Sequence, residues 1–364
     1  MISRTKTTLA AALLLGEFLV GCAGALPSRP SSPGPHVVPA IRDKVLLLME
    51  KHRVPGVAVA IIERGSLRSV EGFGYTDRTR TRRVDSSTVF EAASLGKPLF
   101  AYAVVQRTRA GQLDLDAAVE NYSDSRLAVD PEGRNITAAH LLSHTSGLIF
   151  SEPEGRRRVA TRPGLAWQYS GQGFLVLQQA IESTSLLSVD ALVHQAITGP
   201  LEMRQTTFSW SDRESTLLAK GHDRQGRELP QTTWATANAA SSLHTTVVDY
   251  ARFVERMFAD LAPGSGTPTV GRVMLQSRVQ VDATLGLWWG LGWGLARAND
   301  EMFFLHWGSN PGYKSLVLAS LDQQRAVVIL TNGDNGLEVA TDLAPVVFGR
   351  EYPFLQFYML HPDD

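Results

Sequence analysis

The sequence predicts an α+β fold: an antiparallel sheet built from both chain termini, flanked by helices, with a mostly helical region inserted at about residues 112–290. Three observations carry this expectation. β-branched runs sit near the start, in "GVAVAIIERGSLRSVEGFGY", and again near the end, in "MFFLHW", "KSLVLASL" and "RAVVILTN". Helical patterns fill the middle. One helical pattern precedes the first strands and another follows the last, so sheet and cover come from both ends of the chain.

Taken in order, "VPAIRDKVLLLMEKHR" places Ile41, Val45, Leu48 and Met49 on one helical face. The next two β-branched runs flank Glu63-Arg64-Gly65-Ser66, a hairpin signal. From Ser94 the pattern is helical, with Ala101, Val104, Val105 and Leu113 apolar and Gly111 as the stop. "TVVDYARFVERMFADL" is the clearest helix of the middle, and "NGLEVATDLAPVVFG" closes the chain. Trp288, Trp289 and Trp293 lie among glycines in "LWWGLGWGL", where packing in the core and on strands is the expected use.

The chain has 364 residues, 44% apolar and 20% charged, which is enough for a large core in one domain, residues 38–364. A net charge of −1 gives no basis for a nucleic-acid partner. The arginine clusters at Arg78 to Arg83 and Arg156 to Arg158 are short and read as solvated loops.

Residues 1–21 read as an export signal: Arg4 and Lys6 precede the apolar "TLAAALLLGEFLVG". It ends in "LVGC", which resembles the lipobox of bacterial lipoproteins. That resemblance implies lipidation at Cys22, the single cysteine, and hence an exported bacterial lipoprotein, periplasmic or at the cell surface, held to a membrane by its anchor. A plain secretory signal or an uncleaved anchor helix is the alternative. Residues 22–37, rich in Pro, Ser and Gly, read as an extended tether.

"FEAASLGKPLF", Phe90 to Phe100, raises the chemical question. Ser94 and Lys97 stand three residues apart, so on a helix they share a face. A serine at a first turn also meets free backbone N–H groups and the positive dipole end. Lysine ordinarily titrates near 10.4, so it is a poor base unless burial disfavours its ammonium. Alone the pattern is weak. Ser3 and Lys6 also fit it, and on this pattern alone a helix cap beside a surface lysine is the stronger reading.

Order along the chain changes that balance. "HLLSHTSGL" (His140 to Leu148), then Tyr169 in "LAWQYSGQGFLVLQQAIE", then "HWGSNPGY" follow Ser94 and Lys97. Together they resemble the serine β-lactamase and penicillin-binding-protein superfamily, especially its class C, D-aminopeptidase and family VIII esterase branches, from Val38 to the last strand. The resemblance implies the β-lactamase/transpeptidase-like fold and a serine hydrolase working through an acyl-enzyme on ester or amide substrates, D-amino-acid peptides and β-lactams among them. It implies Ser94 as nucleophile with Lys97 and Tyr169 as its proton shuttle. It implies an oxyanion hole from the backbone N–H groups of Ser94 and Ser309, and substrate contacts at Gly171, His306, Trp307 and Gly308. It also implies a small-molecule or peptide substrate, cell-wall fragments included, with no metal and no organic cofactor.

Two positions depart from the usual motifs. Tyr169-Ser170-Gly171 stands where Tyr-x-Asn is usual, so Gly171 offers no side chain to the lysine or to a substrate amide. His306 stands where a lysine usually opens the third motif, which is expected to put a group near half-titration in place of a fixed cation. Both departures are familiar among the esterase and aminopeptidase-like branches and count against efficient β-lactam hydrolysis. Gly308 is expected to let substrate approach the strand closely. His140 and His144 are expected to serve as structural hydrogen-bond partners. No zinc spacing such as His-Glu-x-x-His occurs. An α/β-hydrolase elbow at Ser94 needs parallel crossovers before it, for which residues 38–93 leave too little chain. A non-catalytic penicillin- or peptidoglycan-binding lipoprotein is the rival from another functional class.

Overall fold

The computed structural model describes residues 37–122, 131–151, 156–210, 216–232, 234, 236–264 and 266–361. All of them belong to a compact unit spanning Ser32–Asp364. The expected export signal, Cys22 and the tether up to residue 36 lie outside the described residues.

Helix α1 (Pro39–His52) begins with a proline, whose missing N–H costs nothing in a first turn. It buries Ile41, Val45, Leu48 and Met49, the face its periodicity predicts. Strands β1 (Gly56–Glu63) and β2 (Ser66–Gly74) pair antiparallel, with Glu63 opposite Ser66. Arg64 and Gly65 both take positive φ (53° and 72°), the two-residue turn whose twist suits a hairpin. The inserted region then runs through β3 (Val89–Ala93), α2 (Gly96–Arg109), α3 (Ala138–Leu142), β4 (Leu148–Ser151), β5 (Arg156–Val159), α4 (Gly171–Ser185), α5 (Val189–Val193), β6 (Leu243–Thr246), α6 (Val247–Leu261) and α7 (Val270–Met274). The chain returns through β7 (Val279–Asp282), β8 (Leu287–Trp289), β9 (Gly294–Ala298), β10 (Glu301–Asn310), β11 (Tyr313–Ser320), β12 (Arg325–Thr331) and α8 (Gly336–Phe348).

Eight strands form one sheet in the order β2-β1-β12-β11-β10-β9-β8-β7, antiparallel throughout. The strands from the two ends of the chain pair as its second and third members, with Val57 opposite Thr331. Both faces are buried. Val57, Val59, Ile61, Leu316, Leu318, Val327 and Ile329 face a core shared with α1 and α8. Their alternates Ala58, Ala60, Ile62, Val317, Ala319, Val328 and Leu330 face the core of the inserted region. Covering both faces is why β1 and β12 read as continuous apolar runs rather than alternating ones.

The sheet extends further than the sequence patterns show. β7, β8 and β9 widen it through the glycine- and tryptophan-rich stretch. A separate pair, β3 with β6, stands beside it. β3 escaped sequence reading because its five residues are all buried, and it runs almost directly into α2.

The face assignment of α1 is testable. Leu48 is 1% exposed and its neighbour Leu47 is 59% exposed. Leu48→Ala should lower unfolding free energy by about 2–5 kcal/mol, whereas Leu47→Ala should change it by no more than about 0.5 kcal/mol. Denaturant unfolding of the two variants checks the contrast.

Candidate active site

The site begins where β3 gives way to α2. Ala93 takes a left-handed conformation (φ 51°) and turns the chain sharply, leaving Ser94 and Leu95 between strand and helix. The helix that follows is buried from Gly96 to Val105. Such a helix is apolar on every side because it crosses the core. Lys97 in its first turn therefore has nowhere to reach solvent and is 1% exposed.

The cap reading of Ser94 fails here, because no side-chain cap bond forms at this helix start. Lys97 Nζ instead lies 2.8 Å from Ser94 Oγ and 2.5 Å from the carbonyl oxygen of Ala240. Ser94 Oγ is itself 3.2 Å from that carbonyl. Rings close the rest of the amine's surroundings, with Tyr169 at 4.9 Å and Phe174 at 5.7 Å from Nζ to centroid. Burial in this setting pushes the Lys97 amine down to about 7.

Tyr169 precedes α4, whose first turn is capped by the Ser170 hydroxyl accepting from the Gly173 N–H at 3.1 Å. The phenol oxygen is buried without a geometrically formed hydrogen bond. Burial raises it above its ordinary range, and the nearby Ser94 hydroxyl offsets this in part. Neighbouring rings hold the phenol ring. Trp307 stacks on it at 5.6 Å, and His144 lies against it at 4.3 Å. The Ser170 N–H donates to His144 Nδ1 at 3.0 Å, fixing the chain beside the phenol. Burial, then the charge of Lys97, hold His144 well below its ordinary value, so it is neutral. His140 is also structural: it completes a capping box with Thr137 at the start of α3.

The structure brings Ser94, Lys97 and Tyr169 into one cluster beside β10. It corrects one expectation for the third motif. His306 is not near half-titration, because its fully buried ring, with Nδ1 2.8 Å from the carbonyl of Trp307, is pushed down to about 3. Burial is the larger cause and Lys97 the smaller. The Trp307 side chain is buried. It packs with the α1 and α8 core and supports Tyr169 from behind. Gly308 is required by the protein's own packing, since a Cβ there would stand 2.2 Å from the carbonyl oxygen of Ala92 on β3. Ser309 is exposed, and Gly171 is half-buried. A Cβ at Gly171 would meet only the Ala240 side chain, at an ordinary 3.6 Å.

Sequence reading missed the segment carrying Ala240. It is held by α4, where Gln178 Oε1 accepts from the Ala239 N–H at 2.8 Å and Gln178 Nε2 donates to the Ala237 carbonyl at 3.0 Å. The Ala240 N–H donates to Asn238 Oδ1 at 2.8 Å. A backbone carbonyl leaves no residue-type signal, so nothing in the sequence marks this acceptor. Among the described residues, no group of three or more His, Cys, Asp or Glu side chains is placed to hold a metal ion, and no helix is long and apolar enough to cross a membrane.

A serine hydroxyl set between a short strand and a buried helix, against a lysine amine and near a phenol beside an antiparallel sheet, defines the class of site. The family model described as Beta-lactamase matches residues 41–349, and the chain belongs to that family. Penicillin-binding protein 4* of Bacillus subtilis is 23% identical over 349 residues, covering 84% of this chain and 75% of that protein. The β-lactamase/D-alanine carboxypeptidase of Pseudomonas syringae superposes with a TM-score of 0.73 at 17% identity, over 85% of this chain and 98% of its own. EstCE1, described as a hydrolase with promiscuous acyltransferase activity, superposes with a TM-score of 0.74 at 19% identity, again over 85% of this chain and 98% of its own.

The notch at Gly308 makes a specific prediction. Gly308→Ala should force β3 away from β10 and cost about 1–3 kcal/mol of stability. Thermal unfolding and reaction with a serine-directed probe should both be impaired; unchanged values for both would contradict the packing described.

Proposed function

We propose that this protein hydrolyses uncharged short-chain esters or amides through an acyl-enzyme on Ser94. The observation that carries the reading is the buried Lys97 amine 2.8 Å from Ser94 Oγ. A neutral amine has two N–H groups and one lone pair. Donating one N–H to the Ala240 carbonyl leaves the lone pair free to accept the Ser94 proton. With its pKa near 7, a large share of Lys97 is in that form at neutral pH. Burial raises the Tyr169 phenol, so it keeps its proton at rest and leaves the role of resting base to Lys97.

Chemistry follows from these placements. Ser94 Oγ bonds to the substrate carbonyl carbon as its proton passes to Lys97. The N–H groups of Ser94 and Ser309 hold the resulting oxyanion, a role worth about 3–4 kcal/mol per donor in such sites. Collapse expels the alcohol or amine, which takes a proton relayed through Tyr169. Water then attacks the acyl carbon as its proton passes to Lys97; the bond to Ser94 Oγ breaks, Oγ takes that proton back, and the carboxylic acid leaves.

The substrate preference rests on His306. The motif that the sequence resembles usually opens with a lysine, which would present a cation here. Here a neutral imidazole sits below the surface, so a substrate carboxylate gains little. D-amino-acid peptides with a free carboxylate and β-lactams, which carry one, should therefore be poorer substrates than neutral esters. A purely binding role would leave the serine unactivated, which the adjoining buried amine argues against. Export and lipidation at Cys22 belong to the same proposal and rest on the amino-terminal sequence.

Five outcomes are expected. In a panel of p-nitrophenyl acetate, a D-alanyl-D-alanine peptide and a chromogenic cephalosporin, the aryl ester should turn over fastest. Its kcat/KM should rise with pH through about 7, as the Lys97 amine loses its proton. Lys97→Ala should lower acylation by about 10²- to 10⁴-fold with the fold intact; near-normal rates refute its role. Gly171→Asn has room beside Ala240 and should raise cephalosporin turnover, and no rise at all would overturn the reading of that position. In a bacterial host, an alkyne fatty acid should label the wild-type chain and not Cys22→Ser; equal labelling of both removes the anchor from the proposal.

A further inference from the structure

Three segments supply atoms to the site: β3 leading to Ser94, the 238–242 segment with its Ala240 carbonyl, and β10 with Ser309. One side chain touches all three. Asn310 is the last residue of β10, directly after Ser309. Its Nδ2 donates to Glu91 Oε1 on β3 and, at 3.0 Å, to the carbonyl of Ser241, the residue after Ala240. Both hydrogens of the carboxamide are thereby used. Glu91 is 4% exposed, so without this donor its carboxyl would lose a hydrogen-bond partner in a buried setting.

Asn310 is also held at its backbone. Its carbonyl accepts from Lys314 Nζ at 3.0 Å, and Lys314 pairs with Asp334 at 2.7 Å. Asp334 Oδ1 also accepts from the Gly312 N–H at 2.7 Å, fixing the Pro311-Gly312 turn, where Gly312 has φ 81°. The carboxamide is therefore a fixed strut rather than a loose surface group.

We infer that Glu91 and Asn310 are positioning residues: their hydrogen bond, with the one to Ser241, sets the Ala240 carbonyl, and through it the Lys97 amine, relative to Ser94. Neither touches substrate in this account. The inference rests on Ser94 being the nucleophile, and the experiment separates the two claims.

The full chain is labelled with a fluorophosphonate probe under pseudo-first-order conditions, for wild type, Ser94→Ala, Asn310→Ala, Glu91→Ala and the Glu91→Ala/Asn310→Ala double variant. Thermal unfolding is followed in parallel. Ser94→Ala should not label; labelling at the wild-type rate defeats the nucleophile itself. Asn310→Ala and Glu91→Ala should label about 10- to 100-fold more slowly at saturating probe, with the half-saturating concentration unchanged. The double variant should be no slower than the slower single one, because both remove the same link. If Ser94→Ala is blank but the other variants label at the wild-type rate, or if the two losses multiply in the double variant, only the clamp is overturned. Should Glu91→Ala fail to fold, Asn310→Asp serves instead. It keeps the size, removes the donor and sets a carboxyl beside Glu91, so it should label at least as slowly as Asn310→Ala. A wild-type rate for Asn310→Asp overturns the clamp.

Discussion

Everything in this site depends on keeping one amine out of water. An exposed lysine three residues after a serine is an ammonium at neutral pH and can take no proton. Lys97 escapes that state because α2 passes through the core, and because the rings of Tyr169 and Phe174 and the Ala240 carbonyl surround its terminus. Burial of an ionisable group normally destabilises a protein. The fold tolerates it here because the amine can be neutral and still spend its N–H on a fixed acceptor.

The rest of the architecture delivers groups to that amine. The sheet joins both termini, so β10 is held by β11 and, through Leu305, by β9. Gly308 lets β3 lie against β10 closely enough to set Ser94 beside it. Behind Tyr169, Trp307, His144 and Trp289 form an aromatic wall that fixes the phenol's plane. His306 belongs to this wall rather than to an open subsite, since Trp289 and Trp293 both pack on its ring. That placement puts a neutral ring, not a cation, where the third motif opens.

Much of the frame was legible in the sequence because it rests on periodicity and turn chemistry. The buried face of α1, the Arg64-Gly65 hairpin and the strands at both ends are of this kind. Ser94 and Lys97 were visible as a spacing, and the later motifs gave the spacing meaning. What stayed hidden depends on contacts distant in sequence. The Ala240 carbonyl is a backbone atom, with no side chain to announce it. The Glu91–Asn310 bond joins residues 219 positions apart. The state of His306 follows from burial, not from residue type, so an imidazole expected to titrate near neutrality is held neutral. β3 was hidden by its shortness and by the helix at its end.

The most direct test is an NMR titration of the Lys97 side chain in the full-length protein, with ¹³Cε or ¹⁵Nζ assigned by difference from a Lys97→Arg variant. This account predicts that the amine titrates at about 7. A midpoint near the ordinary lysine value, about 10.4, would show an ammonium beside Ser94 at neutral pH and contradict it.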